Sequence, residues 1–447
     1  MNAPIKNAPI KNIDSKRVLK IALPIMLTNI TVPLLGFVDT VVIGQLGEAK
    51  LIAALGLGSI LITTLYGLFG FLRMGTTGLA AQAKGSEQHN EVNFILIRGL
   101  LTGLILGLLI LIISNPIFYI FFLLSPAETN VEILSLQYVE IRTLSAPFAI
   151  ATIPIIGWLI ALEKTRSIFY IQIFINLLNV LLNLLFVFHL DFGISGVAYA
   201  TVISEFFGFF LALFISYKSI NNFPKLLIKK VFEKEKWKNL FNININIFLR
   251  SLLLELVFIS FFFWASSFGT NILATNQILI QFLHIFAYAL DGFAFAGEVL
   301  VGISYGKRSI SYIRKSIILC TIWCSLTAFL LFLIFLTFGD SIINFMTNAD
   351  EVLNISKDFK IWIIIVPLCS FPAYILDGIF FGTTHTSEIR KAMIFSTIFY
   401  FLTAFILTSK FQNDGLWLAL NLFLIMRALT LIYYYPNIER SVSSIKN

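Results

Sequence analysis

Carboxylic acids interrupt several apolar stretches of the sequence, and Asp39 is the one most isolated from basic residues. It lies in the string NITVPLLGFVDTVVIG, which holds no lysine or arginine. A charge at the centre of a bilayer costs at least about 2.5–3.5 kcal/mol, so an acid in a membrane span is a functional candidate. Pro24 and Pro33 precede it, and each weakens a helix and gives it a place to bend. The pattern predicts an acid whose protonation biases such a bend, the alternative being an acid that only bonds a neighbouring helix.

Polar residues at helical spacing provide partners for this acid. Asn176, Asn179 and Asn183 recur at intervals of three and four residues, which places them on one helix face. Thr201 and Glu205 are likewise four residues apart. Amides and hydroxyls at such spacing often join helices to one another. Close to Asp39, they would instead form a polar site inside the first half of the chain.

The second half has its own acids. Asp291 and Glu298 are seven residues apart on one helix face, and we expect them to be structural and salt-bridged. Glu255 and Asp377 are better candidates for a second cation or substrate site. Three arginines offer counter-charges: Arg73, Arg250 and Arg427.

The composition shows which solvent these stretches are built for. Hydrophobic residues make up 58% of the 447 residues, charged residues make up 13%, and the mean hydropathy is +0.89. Soluble globular chains are roughly 45–50% apolar and about 25% charged. A secreted disulfide scaffold, a disordered chain and a cytosolic enzyme are therefore excluded. Cys320, Cys324 and Cys369 lie in apolar runs and favour neither a disulfide framework nor a cysteine metal site. The sequence predicts a polytopic helical membrane protein.

Twelve stretches are long and apolar enough to cross a bilayer, which takes about 20 residues. They are 18–44, 51–80, 94–122, 136–161, 167–188, 193–217, 240–265, 272–302, 314–338, 358–382, 391–409 and 414–436. No connector is long or polar enough to form a soluble domain. We expect the first sixteen residues, with their NAPIK repeat, to be a polar tail rather than a signal peptide.

The net charge of +8 comes from lysines and arginines concentrated in alternate connectors. Five lie in the tail through Lys20, seven in 218–238 and four in 307–315. The connectors at 124–132, 189–192 and 267–271 hold none. This is the positive-inside pattern, and it predicts that both termini face the cytoplasm.

An internal repeat relates the two halves at a nearly constant offset. Residues that end or bend helices recur in the same order: Gly85 pairs with Gly306, Pro147 with Pro367 and Gly196 with Gly415. Six spans per half is an even number, so both halves enter the membrane the same way round. The fold class is therefore an all-α membrane protein with two six-helix bundles related by a pseudo-two-fold axis along the membrane normal. We predict an N-terminal lobe over 1–217, a basic cytoplasmic linker over 218–239 and a C-terminal lobe over 240–447.

Five long strings, spread over both halves, carry a resemblance to a known family. They are ALPIMLTNITVPLLGFVDTVVIGQLG, YVEIRTLSAPFAIATIPIIGWLIALEKTR, FAYALDGFAFAGEVLVG, LDGIFFGTTHTSEIRKAM and DGLWLALNLFLIMRALTL. They resemble the MATE (multidrug and toxic compound extrusion) family of efflux transporters, specifically its DNA-damage-inducible F branch. The resemblance implies twelve helices in two lobes. It also implies export of amphipathic, often cationic compounds, driven by an inward proton or sodium gradient.

The resemblance also assigns roles to particular residues. Asp39 resembles the coupling acid of the family's first helix, and Pro24 resembles the proline at which that helix is proposed to bend. Asn179 and Thr201 match polar partners of that acid. Glu255 and Asp377 are similar in placement to the second-lobe cation site of the family's other bacterial branch.

Asn183 departs from the family pattern, in which an aspartate stands at what looks like this position. An amide cannot take up or release a proton at physiological pH, so a relay of two carboxylates is not available here. Either Asp39 titrates alone, or Glu205, on the Thr201 face, replaces the missing acid.

The expected function is that of a secondary active antiporter, not an enzyme, in a bacterial inner membrane. Its partners would be small amphipathic or cationic molecules and membrane lipid, without nucleic acid, and the chain would be a monomer. No cofactor or metal is expected beyond a coupling proton or sodium ion. The 46 Phe, 14 Tyr and 6 Trp supply apolar and cation–π surface for substrates.

Two alternatives remain at this point. A lipid-linked oligosaccharide flippase of the same superfamily commonly has more spans and a strongly cationic cavity, whereas the polar residues here lean acidic. An intramembrane serine protease is suggested only by the GISG string at 193–196, with His189 or His284 as a partner. Four residues at the entrance to a span are a weak signal, because a Gly/Ser turn is expected there.

Overall fold

The computed structural model describes residues 12–125, 127–220, 228–346 and 350–444. Over these ranges the chain folds into α-helices with short connectors and no β-strand. The helices are α1 Ser15–Gly44, α2 Ala49–Gly67, α3 Phe71–Gly85, α4 His89–Leu123, α5 Thr129–Thr143, α6 Ala146–Ala161, α7 Thr165–Asn183, α8 Gly193–Ser219, α9 Ile228–Val231, α10 Lys234–Ser267, α11 Thr270–Gly306, α12 Ile310–Met346, α13 Asp350–Gly382 and α14 Thr386–Ser444. A 3-10 turn at Leu68–Gly70 joins α2 to α3, and a π-helical turn at Leu184–His189 extends α7.

Among the described residues, ten helices are long and apolar enough to cross a membrane. The pair α5 and α6 adds an eleventh span and is bent by 55°. The predicted single helix over 136–161 is thus wrong in detail. Pro147 has no N–H to donate to the carbonyl of Thr143, and its ring clashes with that carbonyl, so the helix ends and restarts.

Helix α14 contains two spans. Its 59 residues would extend about 88 Å as one rod, against a hydrocarbon core of about 30 Å. The backbone leaves the helical region at Gln412, with φ 48° and ψ −122°. A Cβ on Gly415 would lie 2.2 Å from the carbonyl oxygen of Leu407, so only glycine lets the two arms approach this closely. Counting the arms separately gives the twelve predicted spans.

The internal repeat is also visible in the backbone φ angles. Among the described ranges, the non-glycine residues with positive φ form three pairs, each at the offset that separates Gly85 from Gly306. The pairs are Glu87 with Arg308, Glu163 with Thr384, and Asp191 with Gln412. Such conformations are uncommon outside glycine, so their recurrence at one offset reflects the same helix–turn–helix geometry in both halves. The repeat predicted from glycines and prolines is therefore present in the backbone conformation.

The two halves meet where α11 packs against α1 and α3, and the contact with α3 is reciprocal. A Cβ on Gly85 would lie 2.0 Å from the carbonyl oxygen of Ile303, and one on Gly306 would lie 2.1 Å from that of Gln82. Gln82 and Ile303 are separated by the same offset as the two glycines. Gln82 adds a polar link by donating its Nε2 to the carbonyl of Gly382 at 2.9 Å. The crossing brings the backbones of the two halves into direct contact.

The buried apolar side chains form one core around this crossing and separate cores away from it. One core, which includes Trp158 and Phe380, draws residues from both halves around the contact. Three others lie within single halves: one includes Val42 and Val197, one includes Ile110, and one includes Trp417. Large apolar side chains also lie on the outer surface, in keeping with a lipid environment rather than water. The halves are therefore joined at one end and have separate cores toward the other.

The basic linker predicted over 218–239 falls partly on residues 221–227, which lie outside the described residues. After this gap the described chain resumes with α9, whose carbonyl groups accept hydrogen bonds from Arg98. Its Nε donates to the carbonyl of Val231 at 2.9 Å, and its Nη2 donates to that of Lys230 at 2.7 Å. This segment is anchored on α4.

A polar clasp ties three elements together at the end where the halves meet. Glu163, in the turn between α6 and α7, accepts hydrogen bonds from Arg17 at 2.7 and 2.8 Å and from Lys84 at 2.8 Å. Burial alone would raise the pKa of Glu163, but the hydrogen bond from Arg17 and the charges of both basic groups outweigh it and lower the pKa to about 2.

This clasp predicts a pH dependence of stability. Because the pKa of Glu163 is lower in the folded chain than its ordinary value of 4.5, the stabilisation is complete above pH 4.5 and is lost as pH falls toward about 2. Glu163→Gln should lower the free energy of unfolding at neutral pH by about 1–3 kcal/mol. Thermal unfolding in detergent from pH 7 to pH 3 would measure both effects. A variant that loses as much stability on acidification as the wild type would contradict this assignment.

Candidate functional site

Helix α1 runs without interruption through both of its prolines. Pro24 lacks an N–H, so the carbonyl of Lys20 loses its partner within the helix. The hydroxyl of Thr165, at the start of α7, donates to that carbonyl at 3.1 Å. The hydroxyl of Thr28 donates to the carbonyl of Pro24 at 2.8 Å. The weak point of α1 is thus held by a neighbouring helix.

Asp39 lies farther along the first helix, beyond both prolines, and is 3% exposed. Its Oδ1 accepts a hydrogen bond from Nδ2 of Asn183 at 2.7 Å. The same Nδ2 donates to Oδ1 of Asn179 at 3.0 Å, and Nδ2 of Asn179 donates to the hydroxyl of Thr201 at 2.9 Å. The structure therefore brings the predicted acid, both amides and the hydroxyl into one buried hydrogen-bonded chain across α1, α7 and α8.

Asn176, on the same face of α7, contacts α1 at a different level. Its Nδ2 donates to the carbonyl of Thr31 at 2.9 Å, and its Oδ1 accepts from Gln172 at 2.9 Å. Both atoms of this amide are occupied by structural contacts, so Asn176 joins helices and does not contact Asp39.

Two features mark Asn183 as the adaptable part of this site. The Oδ1 of Asn183 is buried and has no hydrogen-bond partner. Asn183 is also the last residue of α7 before the π-helical turn. An unpaired buried acceptor costs about 1–3 kcal/mol, and π-helical turns occur frequently at functional sites. This oxygen is available to accept a hydrogen bond from a protonated neighbouring group.

Glu205 forms an ion pair and is therefore not a free acid. Its two oxygens accept from Nη1 and Nη2 of Arg142, at 2.9 and 3.1 Å. Arg142 is 5% exposed and also donates to the hydroxyl of Ser145 at 3.0 Å, at the break between α5 and α6. Within the described chain no basic residue forms an ion pair or hydrogen bond with Asp39. Arg142 and Glu205 neutralise each other, which leaves Asp39 as the unpaired acid of this site.

Arg142 and Thr165 belong to this site but were not predicted from the sequence. Arg142 lies in the string YVEIRTLSAP, and an arginine just before a proline-containing apolar run was the available signal. Nothing in the local sequence of Thr165 indicates that it pairs with a carbonyl of α1, 145 residues earlier.

A cavity of about 760 Å³ lies between the two halves, next to their contact. Its walls come from α2, α3, α6, α10, α11, α13 and α14, and they include aromatic side chains such as Phe258, Phe262 and Phe295. The guanidinium of Arg73 lies 3.8 Å from the centre of the Phe295 ring and donates to Glu298 at 3.0 Å. Glu298 is fully buried. It is salt-bridged, as predicted.

Asp377 differs from the expectation that it is free to bind a cation. Its Oδ2 accepts from Nη2 of Arg250 and, at 2.6 Å, from Nη2 of Arg427. Two guanidinium groups already outweigh its charge. A second cation site at Asp377 is therefore not supported, because the two guanidinium groups beside this carboxylate repel a further positive charge.

Glu255 and Asp291 line the same cavity without such partners. The described residues provide neither with an ion pair or a side-chain hydrogen bond, and Glu255 is exposed to the cavity. Asp291 thus departs from the prediction of a salt bridge. These two acids are the unpaired negative groups of the cavity wall.

Comparison with known proteins places this arrangement in a family. The family model described as MatE matches residues 24–185 and again residues 247–407, together well over half of the chain. The chain belongs to the MatE family. The two matched segments fall on either side of the linker, which agrees with the internal repeat.

Curated relatives support the same membership for this MatE chain. DNA damage-inducible protein F from Escherichia coli K12 is 33% identical over 420 residues, covering 94% of this chain and 91% of the relative. A probable multidrug resistance protein NorM from Neisseria meningitidis serogroup A is 28% identical over 346 residues, covering 75% and 74% of the two chains. The resemblance read from the sequence is confirmed.

Solved structures agree on the fold. A MATE protein crystallised in a bent conformation superposes with a TM-score of 0.83 at 18% identity, covering 97% of this chain and 96% of that chain. A MOP superfamily transporter from Pyrococcus furiosus, described as having a binding pocket of reverse polarity, gives 0.82 at 18% identity and 97% coverage of both chains. At this identity the likeness establishes the MatE architecture, while the roles of individual residues stay predictions.

Proposed function

We propose that this MatE chain is a secondary active antiporter that exports amphipathic, often cationic compounds in exchange for protons. The observation that carries the proposal is the state of Asp39, which is buried in a proline-containing helix and held by an amide rather than by a cation. A neutral carboxylic acid is several kcal/mol cheaper to bury than a carboxylate. The names of the relatives, which include multidrug resistance proteins, support an export function.

In the proposed cycle, the cavity holds substrate while Asp39 is ionised. Proton uptake removes the charge, and the neutral acid can donate to the unpaired Oδ1 of Asn183. Helix α1 then bends at Pro24, where Thr165 already substitutes for a missing hydrogen bond, and the change in α1 expels the substrate. Release of the proton to the cytoplasm resets the site. A protonation worth several kcal/mol is sufficient to switch a two-state helix.

The orientation follows from the basic connectors. The ends of α3 and α11, where the halves meet, carry Lys84, Lys307 and Arg308. By the positive-inside rule this end faces the cytoplasm, so the described conformation is closed on the cytoplasmic side of a bacterial inner membrane. Four acids and three arginines line the cavity, which is not the strongly cationic surface expected of a pyrophosphate-binding flippase.

The geometry favours Asp39 titrating alone, with Glu205 serving to neutralise Arg142. We predict that Glu205→Gln impairs transport by about tenfold, because it leaves an uncompensated guanidinium that stabilises ionised Asp39. The double variant Glu205→Gln/Arg142→Gln removes both charges and should recover most of the activity. Efflux rates of the two variants in everted vesicles measure this difference. A double variant no better than the single one would assign Glu205 a direct part in proton exchange.

Everted-vesicle efflux of a fluorescent cation tests the proposed function itself. Separate pH and sodium gradients should be imposed on the same preparation. We expect accumulation of the dye inside the vesicles with a pH gradient alone and its loss when the gradient is dissipated. Accumulation that depends on sodium alone would reject proton coupling, and no gradient-dependent accumulation would reject antiport.

A further inference from the structure

Four exposed basic side chains lie together where the first turns of α1 and α7 meet. They are Lys16, Lys20, Lys164 and Arg166. The two lysines of α1 are one helical turn apart. Lys164 and Arg166 flank Thr165, whose hydroxyl donates to the backbone carbonyl of Lys20 at 3.1 Å. This hydrogen bond places the two basic pairs side by side, and we call these four residues the α1–α7 basic patch.

The acids near this patch already have other partners. Among the described residues none of its four side chains forms an ion pair, whereas the neighbouring Arg17 and Lys84 both pair with Glu163. Asp14 precedes α1, and its Oδ1 accepts a hydrogen bond from the backbone N–H of Arg17 at 2.8 Å. The patch therefore keeps an excess of positive charge, which favours an anionic partner.

Beyond the bases, the same outer faces of both helices are apolar. On α1, Leu23 and Leu27 continue the face of Lys20 and are 49% and 51% exposed. On α7, Tyr170 and Leu177 continue the face of Arg166 and are 63% and 59% exposed. None of these four side chains lines the cavity between the halves, so they face the acyl chains of the bilayer. The bases follow at the depth where acyl chains meet their headgroups.

An anionic phospholipid matches both parts of this surface. Its phosphate accepts hydrogen bonds from lysine and, in bidentate form, from arginine, and its acyl chains cover the apolar faces. Each base near a membrane surface strengthens the binding of anionic lipid by about fivefold. A zwitterionic lipid leaves the excess charge of the patch unneutralised, and a soluble phosphate leaves the apolar faces uncovered.

We propose that the α1–α7 basic patch is a binding site for an anionic phospholipid of the cytoplasmic leaflet. The phosphate lies against the four bases, and the acyl chains follow the two apolar faces. The lipid bridges α1 and α7 beside the bond from Thr165 to Lys20, which replaces the one that Pro24 removes from α1. The site lies on the outer surface, away from Asp39 and the cavity, so the proposal does not rest on the proposed transport function.

Native mass spectrometry of the purified full-length protein tests this site. The protein is titrated separately with dioleoyl phosphatidylglycerol and dioleoyl phosphatidylcholine, which differ in headgroup charge. Lys20→Gln/Arg166→Gln removes one exposed base from each helix and leaves the backbone carbonyl of Lys20 available to Thr165. Lys315→Gln/Lys391→Gln is the matched control, because it removes the same charge from exposed lysines in the first turns of α12 and α14.

We expect the wild type to bind phosphatidylglycerol about tenfold or more tightly than phosphatidylcholine. Lys20→Gln/Arg166→Gln should weaken binding of phosphatidylglycerol by about tenfold or more, while binding of phosphatidylcholine changes by less than about twofold. The control should bind phosphatidylglycerol within about twofold of the wild type. An equal loss in the two variants, or no loss in the first, would overturn the proposal.

A soluble headgroup distinguishes a lipid site from a phosphate site. Glycerophosphate carries the phosphate without acyl chains, and at the same concentration as the lipid it should not displace phosphatidylglycerol from the wild type. Displacement would assign the patch to a soluble phosphate and reject the lipid.

Discussion

Asp39→Asn is expected to abolish gradient-driven efflux while leaving a folded protein. The substitution keeps the shape of the side chain and a hydrogen bond to Asn183, but it removes the group that exchanges a proton. The variant resembles the protonated state permanently, so the chain cannot complete the cycle. Dye accumulation in everted vesicles should fall to the level of vesicles without the protein, and thermal unfolding of the purified variant should remain cooperative.

Glu48→Gln provides the matched control for this experiment. Glu48 is an exposed acid four residues beyond the end of α1, and its ion pair with Lys50 is local. The control should transport within about twofold of the wild type, since exposed ion pairs contribute about 0–1 kcal/mol. Retained efflux in Asp39→Asn would remove the basis of the proposed coupling mechanism.

Gly85→Ala is expected to prevent closure of the end where the two halves meet. The added methyl carbon would lie 2.0 Å from the carbonyl oxygen of Ile303, and neither atom can rotate away because the backbone fixes the position of both. Overpacking typically costs 1–3 kcal/mol, which shifts a conformational equilibrium by roughly 5- to 150-fold. Efflux should therefore fall by about tenfold or more.

The chemical accessibility of a cysteine near this contact distinguishes blocked closure from simple unfolding of the Gly85→Ala variant. Ala83 lies in α3 next to the contact and is 6% exposed. A cysteine at this position, in a chain with its native cysteines replaced, should react faster with a membrane-impermeant maleimide at the cytoplasmic face when Gly85→Ala is present. Gly56→Ala is the control, since nothing lies within 4 Å of its added methyl, and a helical glycine replaced by alanine usually gains stability. Equal protection in the two variants would show that the crossing tolerates a side chain.

The fold was predictable because its strongest signals are local or periodic. Apolar runs of about 20 residues located the spans, and recurring glycines located the repeat. The offset between Gly85 and Gly306 then reappears in the positive φ angles of Glu87 and Arg308. The break between α5 and α6 was not predicted, because the apolar run over 136–161 continues through it and the effect of Pro147 depends on a single carbonyl.

The site was predictable only in part. Spacing placed Asn179 and Asn183 on one face, and the structure brings that face to Asp39. The sequence does not predict which distant charged residues form ion pairs. Arg142 and Glu205, for example, are 63 residues apart and meet only after the helices pack. The ion pairs of Asp377 were not predicted for the same reason, because its arginine partners lie 127 and 50 residues away in the sequence.

The charged residues do not recur at equivalent positions of the two halves, although the backbone conformation does. At the offset that relates Gly85 to Gly306, the position equivalent to Asp39 is Ser260, whose hydroxyl donates to the carbonyl of Val257 at 2.8 Å. The two halves therefore share a backbone but have different chemistry. The first half carries the isolated acid, and the second half carries most of the charged wall of the cavity. This division is consistent with separate sites for ion and substrate.

Substrate binding is expected to release protons from Asp39. If Asp39 must be ionised for substrate to bind well, binding and proton release are linked by the same free energy. Purified protein in weakly buffered detergent solution is mixed with rhodamine B ethyl ester, and the pH change is followed with an indicator. Wild-type protein should release protons in proportion to the dye bound, and Asp39→Asn, at dye concentrations that saturate it, should release none. Equal proton release from both proteins would show that a group other than Asp39 exchanges the proton.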